Sequence, residues 1–149
     1  MDERFLRLRR VNVVAGLLHL ASLVAIVALA NDACLPVRAT YLTEAPGTGN
    51  FSSPIDLFSL NISMMVALFM ALSAFFHFLV ASPWGFPRYV AGLERHINVF
   101  RWVEYSLSSS VMIIVILQLN GVSDYIALIA IFGVNASMIL FGWLQERYT

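Results

Sequence analysis

The sequence predicts an all-α integral membrane protein, a bundle of four transmembrane helices. Of its 149 residues, 60% are hydrophobic and 12% are charged, whereas a soluble domain is about half apolar and about a quarter charged. The mean hydropathy is +0.80, and four apolar stretches reach the length of about 20 residues that a helix needs to cross a bilayer. The formal net charge is zero, so no overall positive field favours a nucleic-acid partner.

The four predicted helices follow one another in a single transmembrane domain that covers residues 1–149. They span about residues 11–30 (helix A), 57–81 (helix B), 99–119 (helix C) and 122–144 (helix D). The A–B connection is long and polar, but its segment VRATYL alternates and holds β-branched and aromatic residues, which predicts a short strand or hairpin. The B–C connection, SPWGFPRYVAGLERH, combines turn residues with both signs of charge, and NGVSD predicts a tight C–D turn.

All nine basic residues are arginine, and their distribution predicts the orientation of the bundle. The A–B connection has only Arg38, and the C–D turn has none. Seven others flank the helices elsewhere: Arg4, Arg7, Arg9, Arg10, Arg88, Arg95 and Arg147. Basic loops favour the cytoplasm, so both termini and the B–C connection are predicted there, and the A–B hairpin is predicted to be extracellular. The start also resembles a signal peptide, but its apolar run exceeds the ~7–15 residues of such segments.

Three ionisable residues on three of the predicted spans lie in the same cytoplasmic half of the membrane, where charge is costly and therefore points to function. A rise of ~1.5 Å per residue places His19 ~12 Å, His77 ~6 Å and Glu104 ~8 Å from the cytoplasmic face. Polar stripes on membrane helices turn towards the bundle or a water-filled cavity, so we expect these residues to share a hydrated polar cavity. Arg101 and Ser108 lie on the helix face of Glu104 and would join it, with Arg101 towards the cytosol.

Simpler interpretations of these residues stay open. Arg101 could extend to the lipid headgroups, His19 could be a packing residue, and the serines of helix C could bond to carbonyls of their own helix. Glu104 is harder to explain in this way, because its side chain is short. In helix D, Gly133 and Ser137 have the small-xxx-small spacing that suits helix packing. We expect no metal site, no catalytic residue and no enzymatic activity.

The string RWVEYSLSSS in helix C resembles microbial rhodopsins, in which an acid of the third helix is the counterion of a protonated retinal Schiff base. The longer strings FRWVEYSLSSSVMI and LIAIFGVNASMILFGWLQERYT resemble heliorhodopsins in particular, as do HLASLVAIVALAND, PGT and LSAFFHF. The similarity covers nearly the whole chain. It implies a rhodopsin fold with a cytoplasmic N-terminus, in agreement with the arginine distribution.

The resemblance also implies roles for individual residues. Glu104 would be the counterion, and His19 and His77 would belong to a polar cavity on the cytoplasmic side. The residues that would line or approach retinal are Ser73, Tyr105, Ser109, Asn135 and Met138. The family is regarded as light-sensing rather than efficiently ion-pumping, and its dimers form partly through helix D and the outer loop. We therefore expect a photoreceptor, a retinal cofactor and a homodimer in the cell membrane.

The chain departs from the family pattern in one respect. Heliorhodopsins have seven helices and carry the retinal lysine on the seventh, whereas this chain has four predicted helices and no lysine. It cannot form the Schiff base by itself. We expect it to be the N-terminal half of such a protein, as a fragment, a truncated product or one piece of a split protein. Its expected partners are membrane lipid and a lysine-bearing C-terminal half.

Two alternatives compete with a pigment. The first is a four-helix membrane scaffold, which would need only that the polar residues pack internally. The second is a proton or small-cation conductor that uses Glu104 and the histidines as relay groups. A following lysine-bearing segment would favour the pigment over both.

Overall fold

A computed structural model of the chain describes residues 3–148, so three residues of the predicted domain lie outside this range. Seven elements follow in order: α1 (Glu3–Ala28), β1 (Cys34–Ala39), β2 (Ile55–Asn61), α2 (Ile62–Ala81), α3 (Gly85–Glu94), α4 (Val99–Leu119) and α5 (Tyr125–Tyr148). Four of the described helices, α1, α2, α4 and α5, are long and apolar enough to cross a membrane. The predicted all-α membrane bundle is therefore confirmed, and so is the short hairpin predicted between its first two spans, since β1 and β2 form a small antiparallel sheet.

The long helices pack in chain order, α1 on α2, α2 on α4 and α4 on α5. Each pair is antiparallel, because the beginning of one helix contacts the end of the next. Arg9 near the start of α1 donates from Nε to the carbonyl oxygen of Ala81 at the end of α2, at 2.8 Å. At the start of α4, the backbone N–H of Asn98 donates to Glu146 Oε2 near the end of α5, at 2.9 Å.

Two glycines allow close helix contacts. A Cβ added at Gly16 of α1 would lie 3.0 Å from the ring of Phe78, and one at Gly142 of α5 would lie 2.5 Å from the ring of Trp102. The predicted packing role of Gly133 is wrong for this bundle, since a Cβ there would meet nothing within 4 Å. Gly133 and Ser137 are both exposed, because that face of α5 turns away from α4.

The second span begins at Ile62, five residues after its predicted start at residue 57. The side chain of Asn61 accepts a hydrogen bond from the backbone N–H of Met64 at 2.9 Å, which caps the helix and ends the preceding strand. Residues 55–61 instead pair with β1, and this ladder satisfies their backbone groups. The 20 residues of α2 still suffice to cross a bilayer.

The predicted strand at residues 37–42 is displaced towards the N-terminus, since β1 covers Cys34–Ala39. Its register with β2 shifts between Val37 and Arg38. Arg38 attaches the sheet to the rest of the molecule, because its backbone N–H donates to the carbonyl oxygen of Ser123 in the α4–α5 turn at 2.7 Å. Its side chain forms an exposed ion pair with Asp56, also at 2.7 Å.

The segment between α2 and α4 contains a helix, α3, where the sequence predicts turns. Pro87 lies in its first turn, a position in which the missing N–H needs no partner. Ser82 caps this turn, because its Oγ accepts from the backbone N–H of Gly85 at 2.9 Å. Phe86 is buried and fixes the helix against the bundle.

The outer two spans also differ from prediction at their ends. Helix α1 begins at Glu3 rather than near residue 11, since the arginines before its apolar stretch are good helix formers. Helix α5 runs to Tyr148. We call the end of the bundle that holds the start of α1, α3, the start of α4 and the end of α5 the basic end. The opposite end, with β1 and β2, is the sheet end.

Candidate functional site

A cleft of about 390 Å³ opens between the helices towards the basic end. Its polar lining comes from α1, α2 and α4 and from the residue before α4: Asn12, His19, Ser73, His77, Asn98, Arg101, Glu104 and Ser108. Aromatic rings form much of the remaining wall: Phe69, Phe76, Tyr89, Phe100 and Tyr105. The cleft therefore combines a charged and hydrogen-bonding side with a flat, largely apolar side.

Glu104 is held from the neighbouring helix. Ser73 Oγ donates a hydrogen bond to Glu104 Oε1 at 2.9 Å, and Ser73 itself is buried. The antiparallel packing of α2 and α4 brings these positions to the same depth, although they are 31 residues apart in the chain. This interhelical hydrogen bond sets the orientation of the Glu104 side chain before any ligand binds.

The two histidines of the cleft form a stacked pair. The ring centroids of His19 and His77 lie 5.4 Å apart and the rings are 11° from parallel. His77 Nδ1 lies 3.0 Å from Asn12 Oδ1, and Asn12 donates from Nδ2 to the carbonyl oxygen of Leu8. Because Nδ2 is thus the donor of the amide, Oδ1 is the acceptor, which assigns a hydrogen to His77 Nδ1.

Arg101 lies at the exposed edge of the cleft. Its guanidinium carbon is 5.3 Å from the Trp102 ring and 5.8 Å from the Tyr105 ring. Ser108 follows Glu104 by one helical turn towards the sheet end. It is buried in the α4 surface that faces the cleft. The structure thus brings all five residues of the predicted polar cavity to one cleft: His19, His77, Arg101, Glu104 and Ser108.

The residues predicted to approach retinal divide into two groups. Ser73 and Tyr105 line the cleft. Asn135 instead joins α5 to α4, since its Nδ2 donates to Ser109 Oγ at 2.9 Å and to Ser110 Oγ at 3.0 Å. Met138 is 62% exposed on the outer face of α5. Ser109, Asn135 and Met138 are therefore not among the residues that line this cleft.

Some of the serines of α4 bond within their own helix, as the simpler interpretation has it. Ser106 Oγ donates to the carbonyl oxygen of Val103 at 2.8 Å, and Ser109 Oγ donates to that of Tyr105 at 2.7 Å. These bonds satisfy the hydroxyls locally. Ser109 Oγ is also an acceptor for Asn135, so one hydroxyl serves both roles.

Three cleft residues in α3 and around the start of α4 were not predicted from the sequence: Tyr89, Asn98 and Phe100. Tyr89 was missed because α3 was predicted to be a turn region. Asn98 could have been found, because an asparagine directly before an apolar helix is a typical cap, and its Oδ1 accepts from the backbone N–H of Arg101 at 3.1 Å. Phe100 packs edge-on against Tyr89 with ring centroids 6.2 Å apart, a long-range contact that helical periodicity alone does not predict.

Fold and cleft together define a multi-pass membrane protein with a polar site inside its helix bundle. The family model described as Heliorhodopsin matches residues 8–149, and the chain therefore belongs to the heliorhodopsin family. It is thus a rhodopsin-like membrane protein of a light-sensing rather than an enzymatic family. No curated protein matches the chain.

Proposed function

We propose that the chain supplies the counterion and part of the retinal pocket of a light-sensing rhodopsin. The observation that carries this proposal is the Glu104 carboxylate, which Ser73 orients inside a cleft between membrane-spanning helices. Retinal, when bound, would supply a protonated Schiff base whose positive charge needs a nearby anion. Glu104 would balance that charge, because opposite charges at close range stabilise each other most strongly where water is scarce.

The lining of the cleft fits such a cofactor. Its volume of about 390 Å³ lies within the range of roughly 300–1,000 Å³ typical of small-molecule pockets. Phe69, Phe76 and Tyr105 offer aromatic surface for a polyene, and Glu104 offers the single carboxylate among the lining residues. Ser73 would keep Glu104 in place, and the stacked histidines and Asn12 would form the polar cavity beside it.

The Schiff-base nitrogen would come from outside this sequence, because the sequence contains no lysine. We infer that a lysine-bearing membrane segment packs beside α4 and α5 to complete the pocket. Tyr105, Met138 and Phe141 are 48%, 62% and 66% exposed, so these helices present an apolar face to such a segment. Ser109 and Asn135 would then contribute by fixing α5 against α4 behind this face.

The same proposal includes an orientation and a homodimer. The basic end holds eight of the nine arginines, which supports a cytoplasmic N-terminus and an extracellular sheet. The sheet offers exposed apolar side chains to a second copy, including Leu57 at 49% and Phe58 at 56% exposure. Exposed apolar patches of this kind favour protein contacts.

Co-expression with a lysine-bearing heliorhodopsin C-terminal segment and retinal tests the counterion. We expect a coloured complex whose absorption shifts to the red in Glu104→Gln, because loss of the anion favours charge spread along the excited polyene. Glu94→Gln is the matched control, since Glu94 is an exposed carboxylate on α3. A coloured complex with the same spectrum in both variants would show that Glu104 is not the counterion.

A second function, proton or small-cation conduction, is favoured by the polar path of His19, His77 and Glu104 along one cleft. Measuring proton flux into vesicles that contain the chain alone distinguishes the conduction function from the pigment function. Flux that His77→Phe abolishes, without any added segment or light, would support conduction. Flux at the level of empty vesicles, together with no colour on co-expression, would favour the four-helix scaffold.

A further inference from the structure

The arginines at the start of α1 point in two directions. Arg9 turns into the bundle, where its Nε donates to the carbonyl oxygen of Ala81 and its guanidinium carbon lies 5.3 Å from the ring of Phe86. The other three recur at every third position and are exposed: Arg4, Arg7 and Arg10. All four arginines bear on the orientation of the bundle, but the structure separates one packing residue, Arg9, from an exposed basic face.

This basic face forms a depression of about 610 Å³. Its lining residues are Glu3, Arg4, Leu6, Arg7 and Arg10. Three guanidinium groups and one carboxylate leave the depression positive. Guanidinium groups present paired N–H donors that match phosphate oxygens, and they lose little of this strength to hydration. The chemistry of the depression therefore fits an anionic oxygen group, a phosphate or a carboxylate, better than a neutral polar ligand.

The depth of the depression corresponds to the headgroup region of a bilayer. Glu3 to Val11 spans ~12 Å of helix, directly before the apolar stretch of α1. The same face continues down the helix as exposed apolar residues, since Val14 and Leu17, four and seven positions after Arg10, are 56% and 53% exposed. A molecule bound here would have a phosphate at the arginines and hydrocarbon along the helix below.

We propose that this face of α1 binds an anionic phospholipid, with its phosphate on Arg4, Arg7 and Arg10 and an acyl chain along Val14 and Leu17. Basic clusters beside a transmembrane helix attract anionic lipids, and the apolar continuation selects a lipid over free phosphate. The site lies on the outside of the bundle and is separate from the cleft. It does not depend on retinal or on a further segment.

Lipid selectivity of the whole chain tests the site. The chain is placed in phosphatidylcholine vesicles that contain a minority of spin-labelled phosphatidylglycerol, and the bound fraction of labelled lipid is measured against labelled phosphatidylcholine. An arginine in direct contact with the phosphate of the bound lipid should strengthen the binding of that lipid about fivefold. The triple change Arg4→Gln, Arg7→Gln and Arg10→Gln should therefore lower the preference on the order of tenfold or more.

The matched control is Arg88→Gln, Arg95→Gln and Arg147→Gln, which removes the same charge from the same end of the bundle. This control variant should keep the preference for phosphatidylglycerol within about twofold. Salt screens the attraction between anionic lipids and arginines that do not contact them, whereas it screens the direct contacts of a bound lipid much less. Equal loss in both triple variants would overturn the site and leave only general attraction.

Two further arms complete the test. If the first triple variant does not insert into vesicles, Arg7→Glu alone should still reduce the preference, and an unchanged preference would overturn the proposal. Inorganic phosphate added to the wild-type chain should leave the bound lipid in place. Complete displacement by phosphate at ordinary buffer concentration would show an anion site without lipid specificity, which contradicts the assigned acyl contact.

Discussion

Ser73 Oγ lies 2.9 Å from Glu104 Oε1 and joins α2 to α4 within the membrane-spanning part of the bundle. This bond links the second and fourth of the five described helices within the cleft. It is also the contact that orients the one carboxylate of the cleft. Stability and the proposed counterion role thus depend on the same pair of atoms.

Ser73→Ala should destabilise the bundle by about 0.5–2 kcal/mol, because Glu104 loses the hydrogen-bond donor that joins α2 to α4. The free energy of unfolding in mixed detergent micelles, followed by circular dichroism, measures this loss. Ser106→Ala is the matched control, since Ser106 is equally buried but donates to a carbonyl of its own helix. Equal losses in the two variants would mean that the interhelical bond contributes nothing of its own.

Gly142→Ala should destabilise the α4–α5 contact by about 1–3 kcal/mol. Its added Cβ would lie 2.5 Å from the ring of Trp102, so the indole or the helix must move. Gly133→Ala on the same helix should be neutral or stabilising, because its Cβ meets nothing within 4 Å and alanine is the better helix former. Thermal unfolding of the two variants gives the comparison, and a reversed order of stabilities contradicts the α4–α5 packing.

The membrane spans could be predicted because a long apolar run has few stable structures other than a transmembrane helix. The ends of the helices could not be predicted as well, because they depend on single hydrogen bonds. The start of α2 depends on the Asn61 cap and the pairing with β1, which no apolar count detects. Helix α3 was not predicted, because Pro87 and the charged residues beside it are typical of a turn. What fixes this helix against the bundle is the burial of Phe86, which the sequence alone does not show.

The cleft was easier to predict than the ends of its helices. Each residue of a transmembrane helix adds the same rise, so depth can be counted from a helix end, and His19, His77 and Glu104 indeed line one cleft. Rotation about the helix axis is harder to predict. For this reason Gly133 was expected in a helix contact but lies on an exposed face of α5. The expected contact of Met138 with retinal stays a prediction.

Cysteine labelling tests the proposed orientation. With the native exposed Cys34 replaced by serine, a membrane-impermeant maleimide added outside cells should label Thr48→Cys and miss Arg95→Cys. The reason is that Thr48 lies in the connection between the two strands, at the sheet end, and Arg95 directly follows α3 at the basic end. The third position that would report on orientation, Thr149, lies outside the described residues. Labelling of Arg95→Cys but not of Thr48→Cys would show that the bundle has the opposite orientation in the membrane.

Retinal added to the chain alone should give no absorption shifted far to the red of free retinal, since no lysine side chain is present to form a Schiff base. Borohydride treatment should likewise fix no retinal to the protein, because it reduces only a covalent imine. The apolar wall of the cleft can still take up retinal without a covalent bond, which quenching of the tryptophan fluorescence of the protein would detect. Co-expression with the lysine-bearing segment should then produce both colour and a borohydride-fixed adduct, because transmembrane helices associate by packing and do not require a continuous chain.

A red-shifted pigment that forms without the added segment would contradict the assignment of the Schiff-base nitrogen to another polypeptide segment. A complex that assembles stably with the segment but takes up no retinal would rule out the proposed retinal pocket. Glu104 would then be a structural side chain held by Ser73.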